Sequence, residues 1–220
     1  MSQEDYRLMP LLFGLTLISG LVDAVSFLKL GHVFVANMTG NVVLLGFAFA
    51  GAKGFSISGS LIAIAAFMSG GIIGGRLNRR HGESGAHLLS ATTIVKIFLM
   101  LGAAAIAWFW GSSGSIGYAI TAILGVSMGL QNAAARSVGV PDITTTVLTQ
   151  IIVGIAMDSS LAGGTNVRWR RRVFSVVIMF AGALIGAWLI FKLGIAAALV
   201  AAAAVLAIVS VWAWRLGRAA

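Results

Sequence analysis

The sequence predicts an all-α integral membrane protein of two tandem repeats, inverted relative to each other, each with three transmembrane helices and one re-entrant or broken half-helix. Eight spanning helices with parallel repeats is the alternative. Three observations lead there. The 220 residues are 59% hydrophobic and only 10% charged, with mean hydropathy +1.01, whereas about a quarter of a soluble domain is charged. Apolar stretches of spanning length follow one another along the chain, interrupted by two shorter ones with polar beginnings. Blocks of sequence also recur in the same order, 109 to 112 residues apart.

A helix needs about 20 apolar residues to cross a bilayer. Residues 8–30, 58–77, 87–110, 115–136, 173–192 and 194–214 satisfy this. The first follows an acidic start, where a secretory signal would be basic, and no small-residue cleavage site succeeds it, so it reads as a retained helix. Residues 33–50 fit less well, because they open with Asn37, Thr39, Gly40 and Asn41 and only their second half is uniformly apolar. Residues 142–157 repeat the pattern with Thr144, Thr145, Thr146, Thr149 and Gln150. About five extended residues at roughly 3.3 Å each take the chain from Gly31 to the middle of a ~30 Å core near Asn37. There Asn37 or Thr39 suits the N-cap of a helix returning through residues 42–50. Pro141 and Asp142 break the later helix, and one of Thr144, Thr145 and Thr146 suits the second cap.

Charge arbitrates between the two topologies. With eight spans the cations divide almost evenly between the two sides. With six spans and two segments that enter and leave on one face, every arginine joins the N-terminal side, eleven in all, against Lys29, Lys53 and Lys192. The positive-inside rule then favours six spans with both termini cytoplasmic. The net charge of +9 serves topology on this reading and predicts no nucleic-acid partner. No cysteine is present, which excludes disulfides, thiolate metal sites and thiol catalysis. His32, His81 and His87 have no ligand spacing and read as loop or interface residues, so neither a metal nor another cofactor is predicted.

The repeats place residues 1–112 in one half and 113–220 in the other, within one membrane domain. "GLVDAVS" (20–26) matches "GLQNAAA" (129–135), setting Asp23 opposite Asn132. "NMTGNVVLLG" (37–46) runs parallel to "VLTQIIVGIA" (147–156), with Thr39 opposite Thr149. "FMSGGIIGGRL" (67–77) matches "MFAGALIGAWL" (179–189), with Gly70 on Gly182 and Gly74 on Gly186. Three crossings per half, an odd number, turn the second half upside down, a plan common in transporters. Two half-helix N-termini, each of about +0.5 charge, would then face a shared site at the membrane midplane.

Asp23 is the acid deepest in an expected span, and a charge so placed is costly enough to count as a functional candidate, with a structural hydrogen bond to the half-helix cap or an ion pair with Lys96 as the other readings. The expected solute path comprises Asp23, Ser26, Asn37, Thr39, Asn41, Gln131, Asn132, Thr144, Thr145, Thr146 and Thr149. Its bland alternative is capping and helix–helix hydrogen bonding. Lys96 and Arg136 are the candidate charge partners. Lys96 is read first as snorkelling toward the cytoplasm, with an ion pair to Asp23 as the other reading, and Arg136 as a topology charge. Gly70, Gly71, Gly74, Gly75, Gly182 and Gly186 read as close helix-packing faces. The alanine-rich stretch 196–205 suits packing within the chain or between copies, which allows a homo-oligomer.

At "GLVDAVSFLKLGHVFVANMTGN" and "GLQNAAARSVGVPDITTTVLT" the chain resembles the YoaK family of bacterial multi-pass membrane proteins, and the resemblance covers most of its length. It implies an inner-membrane location and brings no activity, substrate or catalytic residue with it. Gln150 stands where the resemblance leads us to expect a glycine mirroring Gly40. Together these readings predict a channel or secondary transporter for an unknown small solute or ion in contact with the lipid bilayer. A non-transporting structural or regulatory protein is the alternative. A lipid-modifying enzyme ranks lower, since one buried acid and three loop histidines assemble no catalytic set.

Overall fold

The protein, seen in a computed structural model, is described over residues 3–81, 85–139 and 148–218. Eight α-helices follow in order: α1 (Gln3–Lys29), α2 (Met38–Phe49), α3 (Ile57–His81), α4 (Gly85–Trp110), α5 (Gly114–Val138), α6 (Leu148–Met157), α7 (Trp169–Leu193) and α8 (Ile195–Arg218). Six of them are long and apolar enough to cross a membrane; α2 and α6 are the short ones. At 1.5 Å per residue the 12 residues of α2 and the 10 of α6 reach about 18 and 15 Å, roughly half of a bilayer core. Glycines in the left-handed region stop helices: Gly139 (φ 68°) caps α5, and Gly194 (φ 89°) turns α7 directly into α8.

The long helices sort by burial. α1 and α5 are central, with Leu11, Leu15, Ile18, Val22, Ile120, Leu124 and Met128 wholly enclosed. α4 and α8 pack against each other beside them, and the alanines expected to pack or self-associate do the former, since Ala198, Ala202 and Ala203 lie in this core. α3 and α7 are peripheral and turn Met68, Ile72, Phe180, Leu184, Trp188 and Phe191 outward. Such a belt suits lipid, where association rests on close van der Waals packing rather than on water release.

Packing also follows an exchange of α1–α4 for α5–α8. The pair α3·α5 corresponds to α7·α1, α2·α3 to α6·α7, α4·α5 to α8·α1 and α3·α4 to α7·α8, while α4·α8 and α1·α5 map onto themselves. The correspondence extends to atoms. A Cβ on Gly70 would collide with the Val126 carbonyl, and one on Gly129 with that of Phe67; on the other side Gly182 meets Leu17 O and Gly20 meets Met179 O. These are the same contacts shifted by 112 residues on α3/α7 and by 109 on α1/α5. Gly74 and Gly186 behave alike, against Leu130 with Ala133 and against Leu21 with Ala24. Gly71 and Gly75 depart from expectation: a side chain on either would meet open space, so they serve no packing face of their own.

Candidate functional site

Between α1 and α2 the chain stops being helical for eight residues, and Asp23 explains how that backbone is kept satisfied. Its Oδ1 accepts the backbone N–H groups of Val35 (3.0 Å) and Ala36 (2.8 Å), both buried. Asn37, one of the two expected caps, begins α2 by accepting the Gly40 N–H at 3.2 Å. Asn41, one turn on, accepts the Phe34 N–H (2.8 Å) through Oδ1 and donates through Nδ2 to Phe34 O (2.5 Å). The segment is thus folded onto itself like a hairpin. Its two ends meet, with His32 Nδ1 3.0 Å from Gly54 O. Glycine at position 40 leaves room for the Phe34 ring, which a Cβ there would meet at 2.7 Å and push aside. Phe34 in turn stacks on Phe27 of α1, with ring centroids 4.9 Å apart.

This hairpin is flanked by two cavities that share Asn37. The first, of about 440 Å³, lies between α1 and α7. Asp23 and Asn37 line it from the first half and Leu148 and Thr149 from the start of α6, against a wall of Phe27, Phe34, Met179, Ala183 and Ala187. The second, of about 700 Å³, lies between α3 and α5. Thr39, Asn132, Arg136 and Ser137 line it, with Gly71 and Gly75 supplying its floor. The two are counterparts, because Gly20, Asp23, Ala24, Ala183 and Ala187 of one stand where Gly129, Asn132, Ala133, Gly71 and Gly75 stand in the other.

The expected path residues therefore divide. Asp23, Asn37 and Thr149 meet in one cavity, and Asn37, Thr39, Asn132 and Arg136 in the other. Ser26 is buried and spends its hydroxyl on Asp23 O (3.2 Å), while Asn41 is buried in the hairpin; neither lines these cavities. Thr144, Thr145 and Thr146 lie outside the described residues.

Lys96 requires a correction. It does not snorkel, nor does it pair with Asp23: it is 0% exposed, and its ammonium donates to Gln131 Oε1 across the α4/α5 contact. Gln131 is held in turn by Ser19 Oγ (2.8 Å) and Leu15 O (3.2 Å) of α1. The physical reason is that α4 turns this position into the bundle against α5, placing an amide oxygen closer than any route to the surface. Gln131 consequently belongs to the core rather than to either cavity. When α4 is laid on α8 so that their buried positions coincide, Leu88, Leu89, Thr92, Thr93 and Met100 falling on Ala198, Leu199, Ala202, Ala203 and Ser210, Lys96 falls on Leu206, and Gln131 falls on Val22 at the 109-residue offset of α1 and α5; both are wholly buried. Arg136 is exposed, at the mouth of the second cavity, and forms no ion pair with Asp23.

Two features escaped the sequence reading. Arg172 of α7 donates to Gly154 O and Asp158 Oδ2, each at 2.6 Å, tying down the end of α6. The apolar wall around Asp23 comes partly from α7, which no local motif links to residue 23. Among the described residues no group of three or more His, Asp or Glu is placed to hold a metal.

Known proteins add a family to this geometry. Residues 11–212 match the family described as "Protein of unknown function (DUF1275)". The UPF0700 transmembrane protein YoaK of Bacillus subtilis (strain 168) is 32% identical over 161 residues, covering 73% of this chain and 70% of the relative. No solved structure matches. With nearly the whole bundle inside the matched range, the chain belongs to the DUF1275 family of multi-pass membrane proteins.

Proposed function

We propose that the protein moves a small solute or ion across the bacterial plasma membrane, as a channel or secondary transporter, through the polar cavities beside the α2 hairpin. One observation carries this reading: Asp23, Asn37 and Thr149, from both halves of the chain, converge on one open cavity of about 440 Å³ where a purely structural bundle would be closely packed. Polar, irregular backbone at membrane depth survives only where protein or an aqueous cavity satisfies it, and the Val35 and Ala36 amides meet that condition through Asp23.

The architecture that accompanies this function is an inverted repeat of three spans and one re-entrant hairpin, with both termini cytoplasmic. It is supported by the paired helix contacts, by the side-by-side ends of the α2 segment and by the arginines gathered on one side. Asp23 favours a cation or a proton-coupled step, and the N-termini of α2 and α6 favour an anionic group.

The test is flux into proteoliposomes of the purified chain. Potassium, sodium, chloride and protons are followed by electrode or dye, and glycerol and urea by osmotic swelling. Wild type is expected to pass at least one probe, and Asp23→Asn and Thr149→Val to reduce that flux tenfold or more. No flux with any probe, or equal flux in all three proteins, refutes the reading and favours a non-transporting role.

A further inference from the structure

A third cavity, which shares no lining residue with either, lies at the end of the bundle where α1 and α7 begin. It measures about 630 Å³, within the range of small-molecule sites, and is lined by Tyr6, Met9 and Phe13 of α1 and by Arg168, Arg170, Arg171 and Phe174 at the start of α7. We propose that it binds one acidic phospholipid of the surrounding leaflet, the phosphate on the guanidinium groups and the acyl chains along the rings. The inference requires only that the protein sits in a membrane and does not depend on transport.

Its chemistry is graded in depth. Tyr6 and Arg170 stand at the first turns, whereas Phe13 and Phe174 lie further along their helices, by about 10 Å on α1 and 6 Å on α7 at 1.5 Å per residue. The two rings meet edge to face, with centroids 4.8 Å apart, and form an apolar floor. Arg171 lies over α1, its Nη1 3.9 Å from Met9 Sδ, and Arg170 lies near the Trp169 ring (5.8 Å). A polar rim of cations above an aromatic floor reproduces the order of phosphate and acyl chain in a lipid.

Position-matched comparison separates this site from ordinary helix ends. At the equivalent ends of α3 and α5 the places of Trp169, Arg170 and Arg171 are taken by Ile57, Ser58 and Gly59, and those of Met9 and Phe13 by Tyr118 and Ala122. Cations and floor are thus absent together at one end and present together at the other. Guanidinium forks suit phosphate oxygens, and basic pockets between helices on the cytoplasmic side favour anionic headgroups.

The experiment uses the full chain in neutral detergent, with phosphatidylglycerol, phosphatidylcholine or inorganic phosphate added separately, read by native mass spectrometry and thermal unfolding. We expect one phosphatidylglycerol per chain, at least tenfold tighter than phosphatidylcholine and weakened by salt. Arg168→Gln/Arg170→Gln should lose that tenfold preference, and Lys29→Gln at the opposite end should keep it. Should the double variant fail to fold, Arg170→Gln alone, on an exposed side chain, carries the comparison, and the wild-type preference needs no variant. Equal retention of the two lipids, an unchanged preference in the arginine variants, or stabilisation by inorganic phosphate equal to that by phosphatidylglycerol would overturn the proposal.

Discussion

Asp23 both accepts the hairpin amides and lines the first cavity, and substitution separates the proposed transport role from the structural one. Its Oδ1 is the acceptor for two buried amides, those of Val35 and Ala36. Truncation in Asp23→Ala leaves both donors without a partner, at about 1–3 kcal/mol each, so about 2–6 kcal/mol together. Asp23→Asn keeps an amide oxygen at the same reach. It gives up charge assistance of about 1 kcal/mol per bond, partly offset because a neutral amide is cheaper to bury than a carboxylate. The alanine variant should therefore be the less stable by about 2 kcal/mol or more, while the asparagine variant stays folded and loses flux. Reversible unfolding in mixed micelles measures the first quantity. Hydrogen exchange localises it: a difference of about 2 kcal/mol is roughly thirtyfold in opening, expected at residues 34–41 and not in α4 or α8. Equal stability of the two variants, or unchanged exchange at Val35 and Ala36 in Asp23→Ala, would refute the assignment of Oδ1 as the hairpin's anchor.

Three further outcomes follow from other parts of the bundle. Since no native cysteine competes, Ala52→Cys and Ser113→Cys should react with an impermeant thiol reagent in intact cells, whereas Ser84→Cys and Thr165→Cys should react only after lysis; labelling of Ser84→Cys from outside would restore the eight-span topology. Gln131→Leu should destabilise the protein by about 1–3 kcal/mol because it leaves the buried Lys96 amine without its acceptor, and adding Lys96→Met should recover most of that loss in thermal unfolding; equal melting of single and double variants would contradict the pairing. Gly182→Leu should drive α7 from α1 and lower the yield of folded protein in size-exclusion profiles, whereas Gly71→Ala, which faces open space, should leave it unchanged.

Much of this fold is legible in the chain because local chemistry and global form coincide. Six apolar runs of spanning length could become little else, and Asn37 followed by Thr39 and Gly40 announces a helix start inside an apolar stretch. The matching of Gly20 with Gly129 and of Gly70 with Gly182 is visible as sequence before it is visible as two crossings with shared geometry. What stayed hidden depends on rotation between helices. Whether Lys96 meets water, Asp23 or Gln131 is decided by how α4 turns against α5, and no residue near position 96 encodes that angle. Asn41 looked like a path residue for the same reason, as its polarity is plain but its use on Phe34 is a property of the hairpin. That Asn37 lines two cavities, only one of which also receives the start of α6, is likewise a product of the tertiary packing.

The lysine that has a leucine as its opposite number bears on how such a chain can change over time. Were the bundle assembled from two identical half-length subunits, any substitution at this place would appear twice, and a buried amine would have to be accommodated in both copies at once. In one polypeptide, Lys96 and Leu206, which coincide when the buried faces of α4 and α8 are laid on each other, can vary separately. One can carry charge while the other preserves the packing. A saturation library should accordingly find the two codons under different restrictions, with apolar residues alone accepted at 206, and 96 constrained jointly with 131.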